Sequence, residues 1–383
     1  MLGIIIAIMS ERKHIVIDAR IRQASSGRPL ARLIEHLQDI DSFHRYTILV
    51  KPGDPLKLQK SNFTALPCPY PQFSLNPLHE LKFALQLYRL KPDLVHFGMT
   101  QQPLLYFGNI VTMTHDLTMF RFVRRGQTPL PVYKLKMGLY AFLVRWSHMK
   151  SRRITVPTKW VAQDVAKFQP GVADKLVVTY ESGELQQTGR ARKPAAIGEK
   201  DAFIMYLGTA FPHKNLERLL DAFDILHRSN PKLRLVLVGK KEKHYIELEK
   251  RAQSRSSAAN IIITGFLPDE EAKWLYEHCQ AYVFPSLSEG FGLPALEAMG
   301  YSAPVVSSNA TCLPELYGEA AHYFDPTSPK DIAAKIADVL HDKNLRSKLI
   351  KNGQSQAARY SWRQFTEDTL IIYKELLDET VDA

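Results

Sequence analysis

The sequence predicts an α/β protein of two doubly wound domains, and three observations carry that reading. Short apolar runs suited to buried strands alternate with stretches of helical apolar spacing along the chain. Glycine turns follow several of these runs and lead into helices, as in open parallel sheets whose ligand loops stand at the carboxyl ends of the strands. At 383 residues the chain exceeds the size at which a single hydrophobic core keeps growing. The expected divisions are 1–185, 186–360 and a terminal helical segment over 361–383.

In the first half, His14–Asp18 reads as a short strand, followed by the turn Ser26-Gly27-Arg28-Pro29 and a helix with apolar positions Leu30, Leu33, Ile34 and Leu37. Tyr46–Val50 and Asp93–Phe97 are further strands. Between them Asn76 caps and Pro77 opens a helix from Leu78 to Leu90, since proline loses nothing at the first helical position. Ile110–Thr114 is another strand, with His115-Asp116 at its carboxyl end. A base and its orienter are one use of such a pair, yet neighbours on an extended chain point apart, so one can touch a ligand while the other organises the loop. A structural histidine fits these residues equally well.

The second half opens with the strand Phe203–Leu207, then Gly208-Thr209 and, before a helix with Leu219, Leu220, Phe223 and Leu226, Lys214. An ammonium beside helix-start N–H groups suits a diphosphate, although an ordinary surface lysine suits the residues too. Leu233–Val238 with Gly239, a polar helix around Tyr245–Arg251, and the strand leading to Gly265-Phe266-Leu267 come next. The densest motif follows the apolar run Ala281–Pro285: Glu289-Gly290-Phe291-Gly292-Leu293-Pro294, with Glu297 about one helical turn further on. Glycines let a backbone approach a ligand closely, free N–H groups ahead of the helix hold anionic or hydroxyl oxygens, and two ionised carboxylates accept hydrogen bonds from a hydroxyl-rich ligand such as a sugar. The plainer alternative makes Glu289 a turn cap and Glu297 a solvated helix residue. Pro304–Ser308 and Ala320–Phe324 complete the strands. Helices over Ile332–Leu340 and Leu345–Arg359 precede a last amphipathic helix with Trp362, Phe365, Leu370, Tyr373 and Leu377.

The core Glu-Gly-Phe-Gly-Leu-Pro-x-x-Glu-Ala resembles the Glu-x7-Glu signature of retaining GT-B glycosyltransferases of the family 4 group. The stretch 206–324 carries the resemblance strongly and the first half weakly. It implies two Rossmann-like domains facing across a cleft, the first binding acceptor and the second a nucleotide sugar, with the Ser-Trp-x-x-Phe segment crossing back to the first. It makes Arg153–Pro157 and Lys175–Tyr180 strands of the first domain, with Gln186–Lys200 as the linker. By the same resemblance Glu289 binds donor sugar hydroxyls, Glu297 the ribose, Lys214 the pyrophosphate, and His115 the sugar or acceptor side. Gly27 contacts donor phosphate or acceptor, and Gly239, Phe266 and Leu267 lie near the base, though ordinary strand-end packing suits Phe266 better. The sequence departs from the pattern where many relatives carry arginine and this chain has Thr209, leaving phosphate to Lys214 with His213, or to Lys240 or Lys241. It departs again where Gly27 is followed by Arg28-Pro29, and where Glu181-Ser-Gly-Glu184 replaces Asn-Gly-Val-Asp.

The expected reaction is transfer of a hexosyl group, with mannose from GDP-mannose favoured by overall similarity to mannosyl- and rhamnosyltransferases of surface polysaccharide assembly, to a glycan or lipid-linked glycan hydroxyl. No Asp-x-Asp motif stands in a suitable context, so no metal is expected. A GT-B sugar-phosphate enzyme such as a phosphorylase or epimerase, or a silent nucleotide-sugar-binding protein, shares the framework.

Composition is that of an ordinary globular protein, 45% hydrophobic and 23% charged. Cys68, Cys279 and Cys312 are isolated, without metal spacing or a disulfide framework, and point to a reducing cytoplasmic compartment. Met1–Met9 is apolar but too short to span a bilayer. Because Met9-Ser-Glu-Arg-Lys-His reads like a fresh start, residues 1–8 are either a start-site artefact or an extension of the first strand. The net charge of +11 calls for an anionic partner. No Asp or Glu occurs between Asp116 and Asp164, a stretch holding Arg121, Arg124, Arg125, Lys134, Lys136, Arg145 and Lys150 interleaved with Phe120, Tyr133, Tyr140, Phe142 and Trp146. Residues 119–160 thus suit an anionic membrane surface at the inner face of the cell membrane. Packing of the aromatics into the core is the alternative. Nucleic acid is not expected, since no helix-turn-helix, zinc-finger or RNA-binding motif accompanies the charge.

Overall fold

A computed structural model describes residues 11–378, apart from 73, 75, 123–127, 185–188 and 199–200. The expectations for residues 1–8, for Arg124 and Arg125, and for the linker ends at Gln186 and Lys200 lie outside the described residues.

The first sheet-bearing unit runs β1 (His14–Asp18), α1 (Arg28–Ile40), β2 (Arg45–Val50), β3 (Phe63–Pro67), α2 (Pro77–Leu90), β4 (Leu94–Phe97), β5 (Ile110–Met113), α3 (Thr118–Arg121), α4 (Leu130–Lys150), β6 (Arg153–Val156), α5 (Lys159–Phe168) and β7 (Leu176–Val178). The second runs β8 (Phe203–Leu207), α6 (Leu216–Ser229), β9 (Arg234–Val238), α7 (Lys243–Gln253), β10 (Ile261–Gly265), α8 (Asp269–His278), β11 (Ala281–Phe284), α9 (Leu293–Gly300), β12 (Val305–Ser308), α10 (Leu313–Tyr317), β13 (Ala321–Phe324), α11 (Pro329–His341) and α12 (Lys343–Ala357), and α13 (Trp362–Leu376) closes the chain. All ladders are parallel, in the orders β3-β2-β1-β4-β5-β6-β7 and β10-β9-β8-β11-β12-β13. Such sheets are covered on both faces, and β1, β4, β5 and β11 are accordingly buried at every position.

Strand order reverses at β1/β4 in one sheet and β8/β11 in the other, the points where open sheets leave a crevice outside their strand ends. The segments after β1, β8 and β11 therefore hold the residues that matter most.

Helix starts follow side-chain chemistry. Asn76 Oδ1 accepts from the Leu78 N–H at 3.0 Å, Thr158 Oγ1 from Val161 at 3.1 Å and Ser361 Oγ from Gln364 at 3.0 Å. The start at Pro294 shifts by one residue: α9 begins at Leu293, behind Gly292 in the left-handed region at φ 102°. The last first-domain strand is shorter than Lys175–Tyr180, and β3, α3, α4, α8 and α10 are additions to the sequence reading. Edge strand β3 is only half buried and ends in proline, so it lacks a continuous apolar signature; Phe63 stacks on Tyr46 of β2 at 4.4 Å between ring centroids.

Helix α13 packs on α1, inserting Trp362, Phe365, Ile372 and Tyr373 into the core that Leu33 and Leu37 share with β1 and β2. The Trp362 indole N–H donates to the Glu184 carbonyl at 3.2 Å, and the Tyr373 hydroxyl lies 2.5 Å from His96 Nδ1 at the heart of the first sheet.

Candidate active site

Two clusters form where the strand ends of the sheets face each other. In the first, Lys214, brought to the site by the short turn after β8, places its ammonium 2.6 Å from Glu289 Oε1, both side chains largely buried. Gly290 follows Glu289 and lies against the first domain: a Cβ there would stand 2.1 Å from the His115 carbonyl oxygen. The glycine thus joins Glu289 and its partner Lys214 to the His115 backbone, while the His115 ring turns to the first domain. Among the described residues, no acceptor takes the N–H of Gly290, Phe291 or Gly292.

His115 Nε2 is 3.1 Å from the Gly98 carbonyl and Nδ1 is 3.6 Å from Glu181 Oε1. Nε2 meets a carbonyl acceptor and Nδ1 has a carboxylate nearby but beyond hydrogen-bond distance, an arrangement that favours positive charge on the ring. Burial opposes that charge, but Glu181 outweighs it and raises the His115 pKa above its ordinary value. Asp116 takes the other part foreseen for the pair, its Oδ1 accepting from the Thr118 N–H at 2.7 Å.

The second cluster lines a cavity of about 570 Å³ between α1 and the ends of β8, β9 and β10. Thr209, Gly239, Phe266, Leu267 and Glu297 all border it. Phe266 is 76% exposed, so strand-end packing does not account for it and its ring is available to stack on a flat ligand. Glu297, with a side chain 6% exposed, pairs with Arg28 of the opposite domain and accepts from the Tyr276 hydroxyl at 3.4 Å. Arg28 is the residue that sequence reading missed; there it counted only as a departure after Gly27.

Several expectations change. Gly27 does not border the cavity. A Cβ at 27 would fall 2.0 Å from the Ile21 carbonyl, so the glycine serves the close return of its own loop. Phe291 is buried in a T-shaped contact with the Tyr360 ring, and half-buried Leu293 packs against the cores of both domains, so what this turn offers a ligand is its backbone. Lys240 and Lys241 pair with Glu242 and Glu249, and His213 is enclosed beside the Phe122 and Phe211 rings.

Further contacts seal the domain boundary. Thr118 and Ser288 hydroxyls meet at 2.9 Å, and the Thr158 hydroxyl donates to the Gly290 carbonyl at 3.2 Å. Glu315 accepts from the first-turn N–H groups of α5, Lys159 at 2.8 Å and Trp160 at 2.9 Å, and from the Tyr180 hydroxyl at 2.9 Å. A carboxylate of one domain thus caps a helix of the other.

Residues 187–356 match the family described as "Glycosyl transferases group 1". The second domain belongs to that family. The matched range includes Lys214, Glu289 and Glu297. O-antigen chain mannosyltransferase B of Escherichia coli is 36% identical over 45% of this chain and 46% of that relative, so the match spans about half the length of each. Sucrose-phosphate synthase from Thermosynechococcus elongatus superposes over 96% of this chain and 100% of that one, with a TM-score of 0.74 and 15% identity. Anabaena HepE, solved in complex with UDP-glucose, covers 95% of this chain and all of its own, with a TM-score of 0.70 and 14% identity. These structural likenesses show the fold of the whole chain, which is GT-B.

Proposed function

We propose that this protein is a retaining hexosyltransferase that moves mannose from a nucleotide sugar such as GDP-mannose to a hydroxyl of a growing surface polysaccharide or its lipid-linked precursor. The observation that carries the proposal is the placing of two carboxylates on either side of one glycine loop, Glu289 tied to Lys214 and Glu297 opening onto the 570 Å³ cavity with Phe266 exposed at its border. The O-antigen relative supports the choice of mannose.

In this reading the base stacks on Phe266, Glu297 accepts from ribose hydroxyls and Glu289 from the donor sugar. Lys214 and the N–H groups of the Gly290–Gly292 turn face the diphosphate, where charge grows as the bond to the anomeric carbon breaks. The acceptor oxygen bonds to that carbon on the face the diphosphate leaves, and the acceptor proton passes to a departing phosphate oxygen. His115, held by Glu181, contacts the sugar from the first domain. Cationic side chains take the diphosphate charge, and we infer that transfer needs no divalent metal. Product formation from a panel of nucleotide sugars tests the reading: mannose transfer with the anomeric configuration kept is expected, and nucleotide binding without transfer, or phosphate acting as the acceptor, would overturn it.

The protein works in the cytoplasm, docked on the inner face of the cell membrane. Leu135 (75% exposed), Leu139 and Phe142 of α4 stand in solvent beside exposed Lys134 and Lys136, a composition suited to shallow insertion among anionic headgroups. Other members of the basic stretch are engaged elsewhere. Arg121 pairs with Asp164, Arg145 lies over the Phe168 ring, and the Lys150 ammonium donates to the carbonyls of Pro103 and Tyr106, its pKa lowered by burial to about 8. No helix among the described residues is long and apolar enough to cross a membrane.

A further inference from the structure

Arg28 and Glu297 occupy each other across the domain boundary, and both border the cavity. Arg28 is the first residue of α1 at the β1/β4 reversal of one sheet, and Glu297 lies in α9 after β11 at the reversal of the other. The remaining cations on the cavity wall are otherwise committed: Arg22 pairs with Asp54, Arg32 with Glu35 and Lys240 with Glu242, while Lys273 rests over the Tyr301 ring. Arg28 differs from the ion-paired ones in that its partner is a largely buried carboxylate of the opposite domain. The Arg28 side chain as a whole is also the more exposed of the two, 44% against 6% for the glutamate.

Glu297, with Arg28 on Oε1 and the Tyr276 hydroxyl on Oε2, has fewer lone pairs for ribose hydroxyls, and a ligand that takes those of Oε1 displaces the arginine. The displaced guanidinium stays tethered at the cavity mouth, carries five donors in a planar fork, and meets a ligand whose remaining charge is a diphosphate. We propose that Arg28 is a donor-binding residue that trades partners, leaving Glu297 when ribose hydroxyls engage it and turning to the phosphates of the same nucleotide. The exchange couples the first domain to donor bound on the second, and it rests on the nucleotide-sugar reading above.

The test compares wild type and Arg28→Gln in the full chain by calorimetric titration with a nucleoside diphosphate and the matching monophosphate. If the guanidinium engages the diphosphate, the preference for diphosphate over monophosphate falls by about tenfold in Arg28→Gln, the scale of one charge-assisted contact, and Arg28→Lys restores part of it. Monophosphate binding holds or tightens, because Glu297 is already free. Equal losses for both ligands, or an unchanged preference, overturn the exchange and leave Arg28 as a domain tie. Wild type that binds neither nucleotide overturns the nucleotide-sugar reading itself, and the exchange with it. The monophosphate arm reports whether the variant retains its fold.

Discussion

At the scale of single residues, charge pairs decide what the cleft can hold. Lys214 and Glu289 are mutually neutralising at 2.6 Å, so each removal leaves a largely buried charge without its partner as well as a lost ligand contact. Glu289→Ala and Lys214→Ala are each expected to lower transfer by about 100-fold or more, in line with the loss of a positioned electrostatic contact, with far-UV circular dichroism unchanged. Normal turnover in both would count against the assignment. Histidines set the pH behaviour. Burial lowers His96 to about 3 and His148 to about 4, so both are neutral in the fold, whereas the unfolded chain protonates near 6.5. Their contribution is complete above that value and is lost as pH falls toward 4 and 3, by up to about 1.4 kcal/mol per pH unit for each. His115 has the opposite sign: its contribution is complete below 6.5 and is lost as pH rises through its raised folded value. Thermal melts from pH 7 to 4 should show a shallower acid limb in His148→Gln than in wild type, and identical limbs would refute the neutral buried ring.

At the scale of elements, α13 and the Glu315 cap join the two sheets. Trp362 is buried at the point where the chain returns to the first domain, and Trp362→Ala should cost about 3–5 kcal/mol, read as a lowered denaturant midpoint. Glu315→Ala should cost about 1 kcal/mol, typical of a lost cap, and increase protease cleavage between the sheets. Retention of full stability in both would mean that the domains do not depend on these ties. These elements also mark what sequence can reveal. Trp362 and Phe365 were legible because a helix that buries one stripe repeats its apolar residues at a fixed period. Glu289 and Glu297 were singled out because the motif around them resembles the Glu-x7-Glu signature, their spacing alone fitting a turn cap and a solvated helix residue equally well. β3 was not, since a half-buried edge strand carries no such period, and Arg28 was not, since its meaning depends on a partner 269 positions away. Gly27 misled because a glycine before a helix signals close approach without saying to what, and here the neighbour is its own loop.

At the scale of the whole molecule, two parallel sheets place their order reversals across one cleft, with Arg28 on one side and the carboxylates on the other, while α4 leaves a basic, apolar face on the outside of the first domain. Flotation with anionic vesicles at low salt should recover the protein, and recovery should fall with added salt or in Leu135→Glu/Phe142→Glu. Failure to float at low salt would reject the docking face. Transfer should survive EDTA; loss restored by Mn²⁺ would reject metal independence. The central claim is that a nucleotide sugar spans the two clusters, and the most direct measurement is a crystal structure with GDP-mannose bound. The account predicts the base at Phe266, the ribose on Glu297 and the mannose on Glu289. A donor bound elsewhere, with both glutamates still held only by protein partners, would contradict it.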